Sequence, residues 1–150
     1  MIIADNNKNK INADLLYADL TYKVRGAIFT VYNQLGFGHK EQVYQKALAY
    51  ELEDINVLYK REKNLDVVYK DKIVGKYRPD FIIDDKIVLE IKAVEIMPKS
   101  FESQLVNYLK STEYELGLLI NFGAPKLYIK RFIWTGNQRE SASNQRKSYD

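Results

Sequence analysis

The chain has 150 residues, of which 46% are hydrophobic and 29% charged, with a formal charge of +3, one histidine and no cysteine. That length suits one domain with a full core; the lack of thiols excludes disulfides and thiolate metal sites and fits a reducing compartment, and a lone His39 excludes a histidine-rich metal centre and a Ser-His-Asp triad. The first residues, MIIADNNKNK, contain no apolar leader, and no run approaches the roughly 18 apolar residues of a membrane span, so a cytoplasmic protein with no membrane contact is expected.

Residues 1–11 are polar and expected to be disordered, and residues 12–135 are expected to form the one domain. From Asp14, the apolar positions Leu15, Leu16, Leu20, Val24, Ala27, Ile28, Val31 and Leu35 recur at helical spacing, which predicts an amphipathic helix ending at Gly36. Gly36-Phe37-Gly38 breaks it, and a second helix follows from Glu41 to Asp54. Two readings of Glu41 stand open. A carboxylate in a first helical turn is favoured by the helix dipole by about 0.3 to 1 kcal/mol; equally, Glu41 and Tyr44 are three positions apart and share a face that can look towards acids elsewhere in the fold.

Val57 to Lys63 and Leu65 to Tyr69 alternate as strands, and Asp71-Lys72 turns the chain into a further strand from Ile73 to Ile83 in which Gly75 marks a bulge. Pro98 opens a helix running to about Ser111, on which Gln104 and Tyr108 share a face. Glu115 to Phe122 reads as a buried strand closed by Gly123-Ala124-Pro125, and Lys126 to Trp134 as an edge strand. From Gly136 apolar content nearly vanishes, and residues 136–150 are expected to be a disordered tail. The basic residues are spread along the chain, as on a solvated surface; the net charge is compatible with a polyanionic partner.

The most informative stretch is Tyr77 to Glu95, YRPDFIIDDKIVLEIKAVE. It reads as a hairpin turning at Asp84-Asp85-Lys86, whose second strand is apolar on both faces except at Glu90 and Lys92. Those two side chains point the same way, roughly 7 Å apart along the strand. Burying an unpaired charge costs several kcal/mol, so such groups persist only when paired with each other, a metal or a ligand. Asp80, on the preceding strand directly after Pro79, is the natural third member. The bland reading is a same-face ion pair between Glu90 and Lys92. Arg78, on the side of Asp80 by strand parity, suits either a phosphate contact or an ion pair with one of these acids.

With Gly38-His39-Lys40-Glu41-Gln42-Val43-Tyr44, Pro79-Asp80, Glu90-Ile91-Lys92 and Gln104 to Tyr108 in this order, the chain resembles the PD-(D/E)XK nuclease superfamily, and within it the small bacterial proteins named for the motif GxxExxY. The likeness covers residues 14–134. It implies an α/β (α+β) fold with a restriction-endonuclease-like core: a central mixed sheet flanked by helices in the order αβββαβ, with an extra N-terminal helix. It also implies Mg²⁺-dependent hydrolysis of phosphodiester bonds in nucleic acid, with DNA the expected substrate and Mn²⁺ an acceptable substitute. By the same resemblance, Glu41, Asp80, Glu90 and Lys92 are the catalytic set. Asp80, Glu90 and the carbonyl of Ile91 would hold the metal, with Glu41 bound directly or through water. Gln104, Tyr108, Tyr44 and Arg78 would contact the substrate. Lys92, a poor base at neutral pH, would orient the attacking water and stabilise charge. Homodimer formation is an expectation by analogy alone. The alternatives of a different class are a nucleic-acid-binding module without catalysis and a protein-interaction subunit, both on the same fold.

Overall fold

A computed structural model describes residues 16–135. The expected disordered segments 1–11 and 136–150 lie outside these residues, as does the first part of the expected N-terminal helix. Among the described residues, three helices, α1 (Ala18–Leu35), α2 (Glu41–Asp54) and α3 (Lys99–Ser111), accompany seven strands: β1 (Tyr59–Arg61), β2 (Leu65–Tyr69), β3 (Lys72–Tyr77), β4 (Phe81–Ile83), β5 (Ile87–Lys92), β6 (Leu116–Asn121) and β7 (Tyr128–Ile133). Five strands form one sheet in the order β1-β4-β5-β6-β7, while β2 and β3 pair only with each other. All pairs are antiparallel except β5 with β6, the two strands that α3 links.

Strand alternation sorts the core into two layers. Ile87, Leu89 and Ile91 of β5 join Phe81, Ile83, Leu118 and Ile120 against Val24, Ile28 and Val31 of α1 and Leu48 and Leu52 of α2. Val88, with Ile82 and Leu119, faces Leu105 and Leu109 of α3 on the other side. Cover on both faces is why β5 and β6 read as unbroken apolar runs. Because Val88 faces α3, period two sends Glu90 and Lys92 to the same face.

The single strand expected from Ile73 to Ile83 is corrected here: the stretch forms two strands in two different sheets. Arg78-Pro79-Asp80 separates them, because proline has no N–H for a ladder and restricts the residue before it, so β3 cannot be continued into the main sheet. The bulge falls beside Gly75: Gly75 pairs with Val67 and Ile73 with Val68, leaving Val74 as the extra residue. The β4–β5 turn is as expected, with Asp84 and Asp85 at φ 48° and 51°, in the left-handed region that aspartate tolerates in tight hairpins.

Beyond β5 the chain is held to the end of β6. Asn121 is 2% exposed; its Oδ1 accepts from the N–H groups of Val94 (3.0 Å) and Gly123 (2.9 Å), and its Nδ2 donates to the Val94 carbonyl (2.9 Å). The Phe122 N–H donates to the Lys92 carbonyl at 2.9 Å. Gly123 makes this approach feasible, since a Cβ there would sit 2.2 Å from the Val94 nitrogen. Gly123→Ala is therefore expected to destabilise the fold by about 2 kcal/mol through overpacking against backbone, read as a lower urea midpoint with an unchanged slope. Among the described residues no helix is long and apolar enough to cross a membrane.

Candidate active site

Four elements end or begin at one place. β5 brings Glu90 and Lys92, the Pro79 break brings Asp80 to the start of β4, α2 opens with Glu41, and β1 ends at Arg61. Asp80 is fixed by backbone: its Oδ2 accepts the Ile91 N–H at 2.7 Å. In a strand the N–H and C=O of one residue point to the same side, so the Ile91 carbonyl also faces β4. There the extended register would set Pro79, which has no N–H to donate.

Glu90 lies mostly buried and accepts the Tyr77 hydroxyl at 2.5 Å. The Tyr77 ring stacks on Tyr108 of α3, centroids 3.7 Å apart and planes 7° from parallel. The Lys92 ammonium lies 4.4 Å from the centre of the Phe101 ring, an attractive placement over an aromatic face, and it enters no ion pair among the described residues. The plain Glu90–Lys92 ion pair is thus absent from this site. Arg78, Glu90, Lys92, Phe101, Gln104 and Tyr108 line a cleft of about 230 Å³.

The acids are crowded and under-solvated. Glu90 is pushed up to about 7, first by burial and then by the charge of Asp80, against the opposing bond from Tyr77 and the charge of Lys92. Asp80 is raised by burial, although the Ile91 N–H and Lys92 act the other way. Glu41 is raised by burial and then by Asp80, again opposed by Lys92. Lys92 thus moderates three carboxylates without cancelling them. Among the described residues no group of three or more His, Asp or Glu side chains is drawn into a ready cage for an ion. Magnesium does not require one: it takes one or two carboxylates, prefers hard oxygen donors and keeps several waters. Asp80, Glu90 and the Ile91 carbonyl are a donor set of that kind, and their repulsion is what a cation would relieve.

Most residues expected from sequence meet here, either in the cleft or through the mutual fields of Glu41, Asp80, Glu90 and Lys92. Arg78 does form an ion pair, with Glu62 at 2.8 Å, rather than with a site acid, and both partners are exposed. Tyr44 is a correction. It is fully buried, stacked on Phe122 with centroids 4.5 Å apart, and offers no surface to a substrate. Its hydroxyl donates to the Gly36 carbonyl (2.7 Å) and accepts the His39 N–H (3.1 Å). It thereby shapes the turn, with Gly36 and Gly38 at φ 66° and 104°, that sets the start of α2.

Three residues were not picked out in the sequence. Tyr77 was readable only as a strand residue. Arg61 looked like one more dispersed cation. Gln45 carried a usable signal, since it stands four residues after Glu41 on a helix, a spacing at which side chains meet.

A five-stranded mixed sheet flanked by helices, with an aspartate at the head of one central strand and Glu-x-Lys at the end of its neighbour, defines a restriction-endonuclease-like protein. The family model of the PD-(D/E)XK nuclease superfamily matches residues 18–132, and the chain belongs to that superfamily. No curated protein and no solved structure matches it.

The raised Glu90 sets a pH dependence. Between the ordinary value of 4.5 and about 7 the folded chain holds a proton that the unfolded chain releases, so stability falls as pH rises through that window. Glu90→Gln is expected to be the more stable protein at about pH 8, by on the order of 3 kcal/mol, with the difference vanishing near the lower edge of the window in urea titrations. Tyr77→Phe, which removes a bond to the ionised form, is expected to shift the Glu90 transition seen by carboxyl NMR to higher pH.

Proposed function

We propose that the protein is a Mg²⁺-dependent nuclease of the GxxExxY group that hydrolyses phosphodiester bonds in DNA. The observation that carries this reading is the crowding of Glu41, Asp80 and Glu90 around Lys92, each acid held above its ordinary range by burial and two of them by the neighbouring charge of Asp80. A purely structural cluster would settle into ion pairs. This one keeps negative charge in reserve, and two of its members, Glu90 and Lys92, line a cleft that also carries Gln104 and Tyr108.

In this mechanism Asp80, Glu90 and the Ile91 carbonyl would hold the metal, with Glu41 completing the set directly or through water. The chemistry such an ion would supply is a more acidic attacking water and an offset to charge on the phosphate. Lys92 orients the water and stabilises the charge that grows on the phosphate oxygens in the transition state. Phe101 limits where the Lys92 ammonium can go, 4.4 Å from its ring centre. The new bond joins the water oxygen to phosphorus as that water gives up a proton to solvent, the bond from phosphorus to one sugar oxygen breaks, and that oxygen takes up a proton from solvent in turn. Gln104 and Tyr108 position the backbone of the substrate strand; Tyr108 is held by its stack on Tyr77. Arg78 reaches a phosphate by exchanging out of its exposed pair with Glu62, which contributes little to stability.

The test is cleavage of labelled DNA and RNA, single-stranded and duplex, with Mg²⁺, Mn²⁺ or EDTA. Products that need the metal and fall by about a hundredfold or more in Asp80→Ala and Lys92→Ala are expected. Gln104→Ala is expected to raise KM with little change in kcat, the pattern of lost ground-state binding. Retained DNA binding without metal-dependent products would favour the non-catalytic module, and preference for RNA would overturn the substrate assignment.

A further inference from the structure

Glu41 does not stand alone at the start of α2. Gln45, one turn further along and 6% exposed, donates from Nε2 to Glu41 Oε1 at 3.3 Å. Its Oε1 accepts from Arg61 Nη2 at 3.0 Å. Arg61 lies on β1 opposite Phe81, its guanidinium carbon 5.2 Å from the centre of the Phe81 ring, and Phe81 directly follows Asp80. We infer that Gln45 and Arg61 are positioning residues, a relay that fixes the carboxylate of Glu41 relative to the strand bearing Asp80.

The chemistry of the three groups makes the orientation unambiguous. A guanidinium only donates, and an ionised carboxylate only accepts. The amide between them must turn its carbonyl to Arg61 and its NH₂ to Glu41; flipped, it would set donor against donor and acceptor against acceptor. The neutral spacer matters as well. An arginine bonded directly to Glu41 would tend to take both carboxylate oxygens and deny them to any other partner. Through Gln45, the relay engages Oε1 and leaves Oε2 for the site. A role limited to stability does not account for Arg61 well, because its buried Nε has no hydrogen-bond partner among the described residues, an arrangement that costs about 1–3 kcal/mol.

The inference rests on the proposed nuclease reading for the work that Glu41 does, and its test separates the two. Calorimetric titration of Mg²⁺ or Mn²⁺ into the metal-free full chain is expected to show about tenfold weaker binding in Gln45→Met, the scale of losing an outer support to a metal ligand. In the Glu41→Gln background, Gln45→Met is expected to cause no further loss. Wild-type affinity in Gln45→Met, or an equal loss in both backgrounds, would overturn the relay and leave the nuclease reading standing. The second measurement needs neither metal nor a core substitution: the Gln45 side-chain NH₂ resonances are expected to move in Glu41→Gln and in Arg61→Lys, and to stay in place in Glu53→Gln. Resonances that ignore Glu41→Gln would overturn the proposal even if the other variants failed to fold. A wild-type chain that takes up no metal would remove the nuclease reading, and the NMR comparison would then decide the relay alone.

Discussion

The bond from the Ile91 N–H to Asp80 Oδ2 is the interaction on which the site depends. An inner strand must satisfy its backbone groups on both sides, yet β4 stops pairing with β5 at Phe81. Pro79 forces that stop, and the Asp80 side chain takes over where the ladder ends. One substitution pattern, proline then aspartate, therefore ends a strand, satisfies a buried N–H and delivers a carboxylate to the neighbouring strand. The opposite carbonyl is left facing the same space, which is how an apolar strand contributes an oxygen to polar chemistry.

Around that bond the fold holds charge that it does not neutralise. Glu90 and Lys92 occupy positions that alternation assigns to the α3 face, where Val88 continues the apolar layer. A carboxylate in that layer loses hydration, and its neighbours are two more acids. The surroundings are arranged to restrain these groups rather than to pair them off: Tyr77 donates to Glu90, Gln45 to Glu41, and Phe101 carries the Lys92 ammonium. Each contact fixes one atom of its group. The remaining oxygens stay available, and the raised carboxylate pKa values express the same fact as an energy.

The G-x-x-E-x-x-Y segment divides into scaffold and chemistry when its atoms are located. Gly38 adopts a positive φ that other residues resist. The Tyr44 hydroxyl ties the turn to Gly36 and His39, and its ring is locked against Phe122. Both serve to start α2 at Glu41, in the first turn and beside Asp80. The helix-dipole reading of Glu41 and the inward-facing reading are therefore compatible: one explains why a carboxylate is tolerated there, the other what surrounds it.

Local sequence determined the helices, the buried strands, the hairpin turn at Asp84-Asp85, and the anomaly of Glu90 and Lys92 within an apolar run, because periodicity, proline, glycine and burial cost act within a few residues of each other. The residues from Gly38 to Tyr108 also carried the resemblance to the PD-(D/E)XK nuclease superfamily, which the match over 18–132 established. Pro79 is the local reason that Ile73 to Ile83 breaks, but tertiary structure alone decided that the two halves join different sheets, since either half is equally strand-like until a partner is chosen. It decided that Tyr44 packs inward while Gln45, its neighbour on the helix, turns to Glu41. It chose Glu62 for Arg78, and it brought Arg61 from β1 to Gln45, sixteen residues away in sequence. Pairings of this kind are set by where distant elements come to rest, and a single chain read residue by residue contains no term for that distance.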